Sequence, residues 1–161
     1  MSGSESAWEA ICSLYERPNL ADAAIALQDQ YDADVTLLLF AAWLALHGHR
    51  ITAPMAAEME SAVADWRGVV VRAIRETRRA VRGRNAEEVY RQLKAVELAA
   101  ERHELDLLFT AVHAYGETSR TAASVFDNVC AFMPKGAIGS EAEARFLASL
   151  PVSQTPHPAD S

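Results

Sequence analysis

Cysteine is almost absent from the chain. Cys12 and Cys130 are too few for a disulfide framework, lack the local spacing of a zinc site, and sit in apolar helical patterns that suit reduced thiols. A cytoplasmic location is the expectation that follows. Glycine is also scarce, at seven in 161 residues, and no run alternates apolar and polar residues long enough to make a strand. That argues against sandwiches, barrels and glycine-rich phosphate loops. The longest apolar stretch, Val35 to His47, falls short of the roughly 20 residues a bilayer span requires. Met1 to Glu9 holds two acids and no base, unlike a cleavable leader. No membrane association is expected.

Lysine is nearly missing too: thirteen of the fifteen basic residues are arginine. The guanidinium fork binds carboxylate or phosphate in a two-pronged way that an ammonium does not. Seven arginines crowd residues 67–84 against the single acid Glu76, a local net charge of +6 inside a chain of net −7, so the remainder carries −13. Opposite charge within one chain argues first for internal pairing. A length of 161 residues suffices for one domain that buries roughly 70% of its unfolded surface.

The expected fold is all-α, a single-domain bundle of six to eight helices over residues 1–149 with one long central helix, followed by a proline-containing disordered tail at 150–161. Ser6 with Glu9 reads as a capping box for a helix ending before Arg17-Pro18. Asn19 reads as the cap of a second helix reaching about Gln30, and Tyr31-Asp32-Ala33 as a turn. Asp34 caps a third helix, apolar nearly all round, which Gly48 closes. From Thr52 and Pro54 onward, Met55, Met59, Val63, Trp66, Val70, Ala73, Thr77 and Val81 form one helical stripe, with a break or kink expected somewhere in Asp65 to Gly68. Gly83 ends it. Asn85 with Glu88 then opens a helix to about Gly116, antiparallel to its neighbour because the connection is short. Ser119 caps a helix to about Phe132, and Ser140 with Glu143 a last short one.

The long helix carries a chemical anomaly. Lys94, Glu97, Glu101 and Glu104 fall in a sector otherwise filled by Val89, Tyr90, Leu93, Val96, Leu98, Leu105 and Leu108. A carboxylate in a dry sector requires a cationic partner, since an unpaired buried charge costs several kcal/mol. Three roles suit the row: a structural Arg–Glu network, a ligand pocket, or a metal site. A di-metal site wants Glu-x-x-His pairs from facing helices, whereas Glu101 is followed three residues later by Glu104. No metal and no cofactor are expected. On a straight helix Arg67 and Arg78 flank the Trp66–Val70–Thr77 stripe and are the better partners for Glu97 and Glu101, while Arg72, Arg75, Arg79 and Arg82 form an outer row. That row suits a solvated face, a docking surface for an acidic protein, or nucleic acid. The last is not expected, because no aromatic interleaves it and the chain is acidic overall.

Other polar clusters have simpler explanations. His103 and His113 share a face but stand about 15 Å apart along the axis, too far for one ion. The run Asp29-Gln30-Tyr31-Asp32-Ala33-Asp34 fails as a calcium loop, since the sixth and twelfth positions from Asp32 are Leu37 and Trp43. No nucleophile elbow or Cys–His pairing is present.

Trp8, Leu14-Tyr15, Pro18, Leu27-Gln28-Asp29, Asp34-Val35, Leu37-Leu38-Leu39 and Trp43-Leu44, continued by Trp66-Arg67, Arg75, Arg78-Arg79, Lys94, Glu97-Leu98 and Glu101, are a recognisable set. They resemble the signature of a proteobacterial family of small proteins of unknown function and about this length, over residues 7–115. Thr36 departs from it, where asparagine is expected. The resemblance implies a bacterial cytoplasmic origin and brings no mechanism. The sequence therefore names no reaction and leaves open whether the chain is an enzyme. Its first expectation is a non-enzymatic helical binding or adaptor protein whose outer surface, with Arg72, Arg79 and Arg82, meets a protein partner. The alternative is a small-molecule-binding protein or enzyme with a polar pocket from Gln28, Asp29, Arg75, Arg78, Lys94, Glu97 and Glu101. A third is nucleic-acid binding through the arginine-rich helix.

Overall fold

A computed structural model describes residues 3–115 and 124–151. The described residues contain helices and turns and no strand: α1 (Gly3–Tyr15), α2 (Leu20–Tyr31), α3 (Val35–Leu46), α4 (Ala53–Trp66), α5 (Arg72–Val81), α6 (Glu87–Ala114), α7 (Val125–Cys130) and α8 (Glu141–Ser149). A π turn over Arg67–Val71 makes α4 and α5 one continuous rod, and a 3-10 turn at Lys135–Ala137 precedes α8. The fold is all-α, as expected, with α6 much the longest helix.

The helices group into two compact units. One comprises the described residues within Met1–Ala56 and Glu117–Ser161, the other Ala57–Gly116, so the division falls inside α4. In the first unit α3 packs against α1 and α7, while α2 packs against α8 and the 3-10 turn. Ten of the twelve residues of α3 are buried, including Leu37, Leu38, Leu39 and Phe40. Asp34 fixes its start: Oδ1 accepts the Leu37 amide at 3.0 Å, satisfying one of the donors a helix leaves open at its N-terminus. Asn128, 1% exposed on α7, braces the loop after α3. Its Nδ2 donates to Ala41 O (3.2 Å) and His49 O (2.8 Å), and its Oδ1 accepts the Ile51 amide (3.0 Å). The sequence signal for this role is a lone amide among Val125, Phe126, Val129 and Cys130.

Several helix starts differ from expectation. α1 begins at Gly3, so Ser6 and Glu9 lie inside it and form no capping box. Asn19 (φ 67°) and Asn85 (φ 56°) adopt left-handed backbone, which asparagine tolerates, and turn the chain instead of capping by their side chains. α7 starts at Val125 with Ser124 Oγ accepting the Asp127 amide; Ser119 lies outside the described residues. The capping role of Ser140 holds, its Oγ accepting the Glu143 amide at 3.1 Å. Leu150, assigned to the tail by sequence, is 5% exposed and belongs to the packed chain, whereas the rest of the tail beyond Pro151 lies outside the described residues.

In the second unit, α5 and the π turn pack along α6. The π turn resolves the break expected near Asp65 to Gly68: the Arg72 amide bonds back to Arg67 O, so the turn holds one more residue than an α-helical turn. Each residue advances an α-helix by about 100°, and the extra one sets α5 back by that angle. The inward face consequently becomes Val71, Ile74, Arg75, Arg78 and Val81, and the residues a straight rod would have buried, Ala73 and Thr77, are exposed.

Candidate functional site: the arginine–glutamate cluster of the second unit

This change of phase decides which arginines meet the carboxylates. Arg75, assigned by the straight wheel to the outer row, is 9% exposed and at the centre of the cluster, so that assignment is corrected. α6 contributes Glu97 and, one turn on, Glu101; α5 contributes Arg75 and, one turn on, Arg78. Antiparallel packing sets the two pairs opposite each other. Arg75 Nε donates to Glu97 Oε1 at 3.0 Å, and its Nη2 to Glu101 Oε1 at 3.2 Å. Arg78 Nε donates to Glu97 Oε2, and its Nη2 reaches Oε1 of the same carboxylate at 3.4 Å. Glu97 thus receives two guanidinium groups and is 7% exposed. Tyr90, which sequence reading treated as an apolar neighbour, joins through its hydroxyl, 3.4 Å from Arg78 Nη1, with the Arg78 guanidinium carbon 5.9 Å from the ring centre.

In the pairs described, Arg75 and Arg78 offset Glu97 and Glu101, and opposite charge of this kind is what burial at this depth requires. Burial alone would lower the pKa of the Arg78 guanidinium. The hydrogen bond and charge of Glu97, helped by Tyr90, outweigh that, and the net shift is upward. Arginine so held stays protonated and cannot serve as a general base. The bonds described here join arginine, glutamate and tyrosine side chains. These bonds run between α5 and α6.

A second brace lies ahead of the π turn. Trp66 Nε1 donates to Ala100 O at 3.0 Å, and its ring meets His103 edge-on at 4.4 Å between centres. Trp66 was legible only as an apolar stripe residue; its polar handle is the signal for this bond. Glu104, 1% exposed, continues the carboxylate row inward along α6.

The remaining sequence-selected residues fall elsewhere. Lys94 is exposed, and Gln28 and Asp29 belong to α2 of the first unit. Arg72, Arg79 and Arg82 are exposed, as the outer-row assignment requires. The apolar sector around the carboxylates is narrower than the wheel implies: Val89 (48%), Val96 (51%) and Leu98 (52%) are substantially exposed. The inward face of this half of α6 follows Tyr90, Glu97 and Glu101, which meet α5 along one line and leave the flanks open. In the described residues, no group of three or more histidines, cysteines, aspartates or glutamates converges as a metal site, and no helix is long and apolar enough to cross a membrane.

The chain matches no curated protein and no solved structure. Residues 6–108 do match one protein family, a span that takes in most of α1, all of α2 to α5, the π turn, the arginine–glutamate cluster and most of α6. The chain belongs to the family described as protein of unknown function (DUF2390).

Proposed function

We propose that this chain is a non-enzymatic helical binding protein, in which the arginine–glutamate cluster fixes the register of α5 on α6 and the exposed arginines of α5 meet an acidic protein partner. The observation that carries this reading is the mutual pairing inside the cluster. Glu97 takes both Arg75 and Arg78, and Glu101 takes Arg75, so these charges serve one another instead of a substrate. Arg72, Arg79 and Arg82 remain at the surface of the same helix, where guanidinium forks suit carboxylates. A bacterial cytoplasm is the proposed setting, supported by the thiol state of Cys12 and Cys130; burial and the nearby Glu143 and Asp127 push the Cys130 thiol upward, away from the reactive thiolate.

Native mass spectrometry of the protein isolated from its own cell tests the proposal. A second polypeptide is expected, released as salt rises and lost in an Arg72→Ala/Arg79→Ala variant. A retained small molecule would overturn it in favour of a ligand site. Sub-micromolar, steeply salt-dependent binding to oligonucleotides, abolished by the same substitutions, would overturn it in favour of nucleic acid.

A further inference from the structure

The sequence of the α4–α5 rod contains two inward faces, and the fold uses each over only half its length. Up to Val63 the buried residues are Met55, Met59 and Val63. Continued without interruption, that face runs through Val70, Ala73, Thr77 and Val81, all apolar or small. Beyond the π turn the structure instead turns Val71, Ile74, Arg75 and Arg78 inward. The two faces differ by the rotation of one residue, about 100°, with a slide of about 1.5 Å along the axis. Removing the extra residue from the turn, by passing it onward along α5, interchanges them.

We infer that α5 has two registers on α6, and that the arginine–glutamate cluster holds the one observed. In the straight register Arg75 rotates outward beside Arg72, Arg79 and Arg82, Arg78 moves to the flank of the contact face, and Ala73 and Thr77 turn towards α6. Three features favour such an exchange. The π turn contains Gly68, which has open space around it, and Val69, which is 65% exposed, so little packing resists rearrangement there. Trp66, bonded to Ala100 O, anchors the rod ahead of the turn, so α5 can rotate while α4 stays. The two arginines that α5 turns inward share one carboxylate, Glu97. π turns are uncommon in helices and persist where the surroundings favour them; here the cluster is what favours it. The proposal does not depend on the nature of any partner.

Thiol labelling tests it in the full chain, with Cys12 and Cys130 replaced by alanine. The thiol of Ala73→Cys or Thr77→Cys is open to reagent in the observed register and covered in the straight one. With Glu97→Leu added, labelling at both positions should slow at least tenfold while circular dichroism retains the helical content. Unchanged or faster labelling would overturn the proposal. If Glu97→Leu does not fold, the converse probe decides the matter with the cluster intact. Val71, 1% exposed, is covered in the observed register and open in the straight one. Deleting Val69 removes the extra residue, keeps Arg75 and Arg78 inward, and leaves no second register to visit. Labelling of Val71→Cys should then slow at least tenfold relative to the chain without the deletion, and an equal or higher rate would overturn the inference.

Discussion

α3 and α5 solve the same problem, fixing a helix in a small protein, by opposite means. α3 is held by apolar contact on nearly every side and by one capping carboxylate at its start. α5 has Arg72, Arg75, Arg78 and Arg79 among its ten residues and is held by ion pairs along one line. Apolar burial has no direction, so the stabilisation of α3 is spread over all its sides. Ion pairs fix distance and angle, so α5 is held in one rotation and would lose its ties together. The first helix is secured by amount of contact, the second by alignment.

The sharpest way to break this comparison is to remove mass from α3. Phe40→Ala should cost about 4 kcal/mol in urea unfolding, because a fully buried ring is replaced by a cavity. A loss under about 1 kcal/mol would mean that α3 is not the core it resembles. Next comes the shared carboxylate: Glu97→Ala should cost about 3 kcal/mol by stranding two guanidinium groups, whereas Glu101→Ala, with a side chain 24% exposed, should cost about 1 kcal/mol. Equal losses would refute the central place given to Glu97. Replacing Arg75, Arg78 and Glu97 together by methionine and leucine should cost less than Glu97→Ala alone, since no charge is then left buried.

Smaller effects sharpen the same contrast. The first unit also has polar ties, and Asn128→Ala should lose about 2 kcal/mol, since it leaves the Ile51 amide and two carbonyls without their side-chain partner. Asp34→Ala should cost about 1 kcal/mol, the usual value of a lost N-cap, and Asp34→Ser should recover most of it. Arg72→Ala, at an exposed position of α5, should change stability by less than about 0.5 kcal/mol. A larger loss there would show that the outer arginines also secure the helix.

The contrast explains what could be read from the residues alone. α3 was legible in its start, its extent and its burial, because a helix apolar all round needs no assumption about phase. The pairing of Glu97 with arginine of the preceding helix, Arg78 among them, was legible from charge: acids in an apolar sector and a dense run of arginines with almost no acid among them. The identity of the outer row was not, since a wheel drawn over 55–81 carries the phase of Met55 and Met59 past the π turn and places Arg75 outside. Nothing in Arg67-Gly68-Val69-Val70-Val71 marks a π turn in place of the expected kink. Burial around the carboxylates was overestimated for the same reason that α3 was not: Val89, Val96 and Leu98 are apolar, and apolar residues at a surface are common.

Asn128 also sets an order of events during synthesis. Its partners Ala41, His49 and Ile51 lie 87, 79 and 77 residues earlier in the chain, and Arg17 Nε donates to Ser149 O across 132 residues. The first unit is therefore assembled from two segments that leave the ribosome far apart in time, while α5 and α6 are neighbours in sequence and can pair as soon as both have emerged. Until α7 and α8 arrive, the apolar sides of α2 and α3 lack the helices that cover them. An emerging chain exposes its stickiest surface longest at its own beginning.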